Sequence, residues 1–151
     1  MPSAKHETIA PISPDSLMDL ILDFESYPNF LPEITHTHVR LKGPPIWEVR
    51  FQLRLIRPIV YILRLERKSQ YELSWSLIEG FFISNTGSWV LTPHEEGVHI
   101  QYQISMQLDT FLPGSISNSL TKKSLPATIK RFVNEALSRQ VVLQKNDEVD
   151  N

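Results

Sequence analysis

The feature that most constrains the fold of this 151-residue chain is a period of two in its apolar residues between residues 47 and 108. The segment "WEVRFQLRL" is the clearest case, and "IVYILRLE", "YELSWSL" and "VHIQYQISMQL" repeat the pattern. In the first segment the apolar positions are Trp47, Val49, Phe51, Leu53 and Leu55. Such alternation is typical of strands with one buried face. Turn signals such as Glu96-Gly97 separate the segments, so we predict an antiparallel meander.

Helical patterns at both ends of the chain supply a cover for the apolar face of this sheet. Near the start, Ser13 can cap a helix whose first residue is Pro14. Near the end, helical spacing relates Leu125, Ile129, Phe132, Val133 and Ala136. Upstream of that helix, Leu112, Ile116 and Leu120 recur at the same spacing, so Pro126 either kinks one long helix or begins a second. We therefore predict an α+β fold, a curved antiparallel sheet wrapped around a long C-terminal helix.

The segment "FESYPNFLPEI" interrupts the chain between the first helix and the sheet. Pro28 disfavours helical geometry at the preceding residue, so the first helix must end by Tyr27. The residues up to Pro32 allow at most one further turn. We predict a single domain over residues 1–143 and a polar tail over 144–151.

Composition excludes several classes of function. The net charge of −2 argues against a dedicated DNA-binding protein, and the lack of cysteine excludes disulfides and thiolate chemistry. The chain has no signal-peptide pattern and no apolar run long enough to span a bilayer, so we expect a cytoplasmic protein. Five histidines invite a metal hypothesis, but "HEEGVH" lacks the spacing of the HExxH zinc motif. We predict no metal and no cofactor.

Three stretches together give a resemblance to a known family: "LILDFESYPNFLPEI", "SLIEGFFISNTGSWVLTP" and "LPATIKRFVNEA". In order and position they resemble the START-like helix-grip superfamily, and within it the polyketide cyclase/dehydrase and lipid-transport family. That family includes coenzyme Q-binding proteins and ribosome-association-toxin homologues. The resemblance implies two short helices between the first and second strands, and an internal cavity between the sheet and the C-terminal helix.

The resemblance also implies which residues line that cavity. The candidates are Tyr27, Phe30, Leu31, Trp47, Phe51, Leu63, Trp75, Tyr102, Ile104 and Phe132. Such a wall suits a lipid, a quinone or a polyketide-like molecule, although residues of these types, taken singly, more often belong to an ordinary core. Trp89 and Gly87 are given structural roles, and Gly87 marks a bulge or a close backbone approach.

Three hypotheses about function remain open at this point. The first is non-catalytic binding or transport of a hydrophobic small molecule, with no catalytic residue assigned. The second is an enzyme of the polyketide cyclase or dehydratase type, which needs polar groups deep in the cavity. The third is an interaction module with a collapsed cavity, in which Arg50, Arg54 and Arg64 contact the ribosome. Under the first hypothesis the same basic face would meet a membrane surface. A solvated sheet face explains the same arginines.

Overall fold

The computed structural model describes residues 3–54, 57–108 and 124–150. Two α-helices, one short 3-10 helix and seven strands make up the fold in this part of the chain. In chain order they are β1 (Ser3–Ala10), α1 (Pro14–Ile21), the 3-10 helix (Phe24–Asn29), β2 (Ile34–Gly43), β3 (Ile46–Arg54), β4 (Pro58–Ser69), β5 (Glu72–Gly80), β6 (Phe82–His94), β7 (Gly97–Leu108) and α2 (Ser124–Asp150).

All seven strands belong to one antiparallel sheet in the order β1-β7-β6-β5-β4-β3-β2. Strands β2 to β7 form an uninterrupted meander, and β1 closes the far edge by pairing with β7. Helix α2 packs on α1 and on β1, so the sheet curves around it. This arrangement confirms the predicted α+β fold and the two short helical segments between the first two strands.

The buried face of the sheet follows the alternation in the sequence. Trp47, Val49 and Phe51 are buried on β3, whereas Arg50 between them is exposed. Leu53 is only half-buried, and Leu55 lies outside the described residues. Since side chains on a strand point alternately to opposite faces, the register of β3 fixes which of its residues face inward.

The first helix and the proline-bracketed bend form a single unit. The Ser13 side chain accepts a hydrogen bond from the Ser16 amide at 3.1 Å, which confirms the predicted cap. Helix α1 ends at Ile21, and the Tyr27 hydroxyl donates a hydrogen bond to the Ile21 carbonyl. A helix leaves its last carbonyls without partners inside the helix. The bend therefore places Tyr27 beside the end of α1, where its hydroxyl satisfies one of these carbonyls.

Helix α2 begins at Ser124, and Pro126 lies in its first turn, which a proline tolerates. Leu125, Ile129, Phe132 and Ala136 are buried, as the spacing predicted. The upstream residues Leu112, Ile116 and Leu120 lie outside the described part of the chain. The helix continues to Asp150, and the domain boundary at residue 143 stays a prediction.

Strands β5 and β6 pair over a short stretch only. Residues 72–75 of β5 pair with residues 87–90 of β6, and beyond this stretch each strand pairs only with its other neighbour. Gly87 lies where the two strands separate, and a Cβ there would collide with the Trp75 indole. The close approach predicted for Gly87 is therefore present, because the Trp75 ring occupies the space of the missing side chain.

Candidate functional site

A cavity of about 120 Å³ lies between the inner face of the sheet and α2. Its wall is mainly aromatic and aliphatic, and the bend, strands β2 to β7 and α2 all contribute to it. The lining residues are Tyr27, Leu31, Ile34, Phe51, Tyr61, Leu63, Leu65, Leu73, Trp75, Asn85, Trp89, Tyr102, Ile104, Thr128 and Phe132.

Eight of the ten predicted cavity residues border this space. They are Tyr27, Leu31, Phe51, Leu63, Trp75, Tyr102, Ile104 and Phe132. The other two are not among the lining residues. Trp47 packs edge-on against Phe24, with ring centroids 5.7 Å apart, and Phe30 packs on Phe132 at 5.0 Å. That the lining residues bind a ligand stays a prediction.

Phe132 joins the bend to the far side of the cavity. Its ring makes edge-on contacts with Tyr27 at 5.2 Å and with Trp89 at 5.0 Å. Trp89 in turn contacts Tyr102 at 4.6 Å. Edge-on pairs of aromatic rings are favourable beyond the area that they bury. The bend, α2 and β6 are therefore connected by one continuous aromatic cluster.

Three polar residues of the wall were not among the predicted cavity residues: Tyr61, Asn85 and Thr128. Asn85 is only 3% exposed, and its side-chain oxygen accepts a hydrogen bond from the Trp75 indole at 3.0 Å. A buried polar side chain on a strand is expensive unless it is paired. The Trp75–Asn85 bond thus keeps an amide group at the cavity wall.

The cavity tyrosines are held in their protonated form. Burial raises the pKa of Tyr61, and burial together with the neighbouring Tyr61 raises that of Tyr102. Burial, with smaller contributions from Tyr102 and Asp23, also raises the pKa of Tyr27. Within the described part of the chain, the hydroxyls of Tyr61 and Tyr102 have no hydrogen-bond partner. At neutral pH the wall therefore offers two hydroxyl groups that can donate a hydrogen bond to a ligand.

Two ion pairs tie α2 to the chain on either side of the bend. Arg131 donates to both carboxylate oxygens of Glu33, at 3.1 and 3.2 Å, and Arg139 donates to Asp23 at 3.0 Å. Burial raises the pKa of Asp23, but hydrogen bonds from Ser26 and Arg139 and the charge of Arg139 outweigh it. The net pKa lies below the ordinary value of 3.8. Both pairs are partly exposed, so each contributes roughly 0–1 kcal/mol.

The predicted basic surface is present on the outer face of the sheet, but carboxylates accompany it. Arg50, Arg54 and Arg64 are all exposed. Arg64 lies 3.6 Å from Glu66 and pairs in register with Glu48. This face is therefore mixed in charge rather than uniformly basic.

No metal site appears in the described part of the chain. Within it, no three His, Asp or Glu side chains lie close enough together to hold a metal ion. His36 and His38 point to solvent on β2. Among the described helices, none is long and apolar enough to cross a membrane.

The comparison with known families agrees with this architecture. A family model described as "Polyketide cyclase / dehydrase and lipid transport" matches residues 10–133. The chain belongs to this family. The resemblance inferred from the three sequence stretches is thereby confirmed at the level of the family, whose description covers both enzymes and lipid-transport proteins.

Individual relatives confirm the fold across almost the whole chain. The ribosome association toxin RatA of Rickettsia prowazekii (strain Madrid E) is 27% identical over 149 residues, covering 87% of this chain and 96% of that protein. A START superfamily protein from Mycobacterium smegmatis has a TM-score of 0.72 at 17% identity, covering 95% of this chain and 99% of that one. The ZhuI aromatase/cyclase from Streptomyces sp. R1128 has a TM-score of 0.76 at 11% identity, covering 91% and 94%. These two solved structures, at 17% and 11% identity, show that this protein shares their fold.

Proposed function

We propose that this protein binds a hydrophobic small molecule in the cavity between the sheet and α2, without chemical conversion. The observation that carries the proposal is the pairing of an aromatic wall with two protonated hydroxyls, those of Tyr61 and Tyr102, that have no partner among the described residues. Ligand pockets combine apolar walls with a few polar groups that orient the ligand. The ligand class is therefore a lipid, quinone or polyketide-like molecule that carries a carbonyl or another acceptor.

The size of the cavity adds a requirement to this proposal. At about 120 Å³ the cavity is smaller than the roughly 300–1,000 Å³ typical of ligand sites. It accommodates the head of such a ligand, and the remainder enters only if α2 or the aromatic cluster shifts. The two ion pairs that tie α2 to the bend resist such a shift weakly. Binding and movement of α2 are therefore coupled.

Native mass spectrometry of gently purified protein, followed by denaturing extraction, tests the proposal. A discrete added mass that extracts as a lipid or a quinone is the expected result. Tyr102→Phe keeps the ring but removes the hydroxyl, and should weaken binding of the extracted molecule about fivefold to tenfold. Tyr71→Phe is the matched control, because the Tyr71 hydroxyl accepts a hydrogen bond from Gln70 on the surface. An apo mass that does not change on addition of lipids and quinones would reject the carrier function.

The wall chemistry favours binding over catalysis. General acid–base catalysis is most efficient when the pKa of the catalytic group lies near the working pH. The cavity tyrosines have pKa values raised away from neutrality, and the lining residues that the structure describes include no carboxylate and no imidazole. For a cyclase or dehydratase, the described lining residues would supply hydrogen-bond donors but no side chain with a pKa suited to proton exchange near neutral pH.

The similarity to RatA, together with the exposed arginines, supports a second candidate function, in which the outer face contacts the ribosome. Co-sedimentation with ribosomes at increasing salt tests it. Replacing Arg50, Arg54 and Arg64 by alanine should abolish pelleting. Replacing Lys42 and Lys130, which are exposed elsewhere, should leave it unchanged. Pelleting with anionic vesicles instead of ribosomes would reassign the arginines to a membrane surface.

A further inference from the structure

A broad depression lies on the outer face of the sheet, away from α2. It measures about 550 Å³ and spans β1, β7, β6, β5 and β4. Unlike the inner cavity, it falls within the size range of small-molecule sites. The carrier function does not account for it, and of the three outer arginines only Arg64 borders it.

Strand register explains why the outer face is hollow here. Across neighbouring strands Gln103 pairs with Ser88, and Ser88 pairs with Ser74. One row further along, Ser105 pairs with Thr86. Small hydroxyl side chains therefore occupy adjacent positions in the middle of the sheet. The polar part of the floor comprises Ser74, Ser76, Thr86, Ser88, Gln103 and Ser105. Ala4, Trp75, Gly87 and Ile104 also border the groove, and Trp75 and Ile104 line the inner cavity as well.

Long charged side chains form the walls. Lys5 stands on β1, while Arg64, Glu66 and Lys68 stand on β4 and Glu72 on β5. Arg64 and Glu66 are 3.6 Å apart, whereas Lys5 and Lys68 form no ion pair within the described residues. The walls thus hold three cations and two carboxylates, with two lysines left to meet an anion.

We propose that this groove binds an anionic oligosaccharide, a ligand rich in hydroxyl groups that carries one negative charge. Serine and threonine hydroxyls both donate and accept, lysines only donate and carboxylates only accept, so the complementary ligand must do both. Sugar hydroxyls meet that condition. The Gln103 side chain already donates to the Ser88 hydroxyl at 3.1 Å, but an apolar ligand would offer the other floor hydroxyls no partner. A polyanion such as RNA would face Glu66 and Glu72.

The width of the groove sets the size of the ligand. Four strand spacings separate β1 from β4, roughly 19 Å along the curved sheet at about 4.8 Å per strand. A single sugar ring cannot reach from Lys5 to the β4 wall. A ligand that contacts the floor and both lysines must therefore be an oligosaccharide rather than a single sugar.

Sialyllactose, a trisaccharide with one carboxylate, is the probe for an NMR titration of the full-length protein. We expect saturable shifts of the Gln103 side-chain amide and of the Ser74 and Ser88 backbone amides. Lys5→Ala and Lys68→Ala should together weaken binding about tenfold. Arg50→Ala, on the same face but outside the groove, should have no effect. Uncharged lactose should bind more weakly than sialyllactose.

The second variant fills the floor of the groove with a large side chain. Ser74→Tyr should abolish the shifts while leaving the spectrum of α1 unchanged, which separates a blocked groove from a misfolded protein. Shifts that persist in Ser74→Tyr, or no saturable shift with sialyllactose, would overturn the site. Tighter binding of a short RNA oligonucleotide in the same groove would overturn the ligand class. The carrier function of the inner cavity stands or falls independently of all these outcomes.

Discussion

Truncating Phe132 tests whether the inner cavity behaves as a ligand site or as ordinary core. The side chain is 3% exposed, and its ring contacts those of Tyr27, Phe30 and Trp89 at 5.2, 5.0 and 5.0 Å. Replacing a buried phenylalanine by alanine costs about 3–5 kcal/mol. The three ring contacts, at roughly 0.5–1.5 kcal/mol each, contribute a large part of that loss. We therefore expect Phe132→Ala to lose about 4 kcal/mol of unfolding free energy in urea titrations.

The informative measurement is whether a small aromatic ligand restores the stability that Phe132→Ala loses. Phe132 forms part of the cavity wall, so the space left by its ring merges with the existing 120 Å³. A two-ring molecule such as 2-naphthol should then fit. A ligand that binds only the folded state stabilises it by about 2.7 kcal/mol at a hundred times its Kd. The midpoint of the urea transition should accordingly rise with the concentration of 2-naphthol.

Phe82→Ala is the matched control for this rescue. Phe82 is 5% exposed and packs on Tyr61 and Phe81, but it does not line the cavity. Its truncation should cost a similar amount and leave a hole too small for two rings. Equal rescue of both variants, or of neither, would refute the inference that the ring of Phe132 closes a ligand cavity. A loss below about 1 kcal/mol would refute the packing argument itself.

Two further substitutions test the local structure around the cavity. Gly87→Ala should displace the Trp75 indole, since the added Cβ would also lie 2.5 Å from the Gln103 carbonyl oxygen. We expect a loss of roughly 1–3 kcal/mol and a red shift in tryptophan fluorescence, and an unchanged spectrum would contradict the close contact between Gly87 and Trp75. Asp23→Asn should alter the pH dependence of stability. The pKa of Asp23 is depressed in the folded state, so its contribution is present above 3.8 and is lost as the pH falls through the folded value. Urea midpoints of wild type and variant should converge in acid, and a constant difference would argue against the Arg139 contact.

The sheet and the first helix could be predicted because their signals are local. Alternation on β3 fixes a face for Trp47 and Phe51, and Ser13 followed by Pro14 marks a helix start. The bend is recognisable in the sequence as a break, but the bond from Tyr27 to the end of α1 depends on tertiary geometry. Apolar pattern alone could not separate Trp47, which lies in the core, from Phe51, which lines the cavity.

Strand β6 shows why Asn85 could not be assigned to the cavity from the sequence. Strict alternation from the buried Phe82 would point Asn85 outward. A register shift between Phe82 and Ser84 inserts one residue, leaves Ile83 53% exposed and turns Asn85 inward. A one-residue shift exchanges the two faces of a strand, and the local composition of β6 gives no signal from which the shift could be predicted.

Removing the hydroxyls of Tyr61 and Tyr102 distinguishes a binding site from an ordinary core, because the two cases predict opposite changes in stability. A buried hydroxyl without a partner costs about 1–3 kcal/mol. Tyr61 is buried and Tyr102 is half-buried, and neither hydroxyl is among the fully buried, unpaired side-chain atoms of the described residues. If the two tyrosines served the core alone, each hydroxyl would therefore lower stability by an amount near the lower end of this range. Tyr61→Phe and Tyr102→Phe should therefore stabilise the unliganded protein, by up to about 1 kcal/mol each, while weakening ligand binding. Urea denaturation of the apo protein supplies the first quantity, and titration with the extracted ligand supplies the second. A loss of stability in both variants would mean that the hydroxyls are already paired within the fold, and neither tyrosine would then have a free donor to offer a ligand.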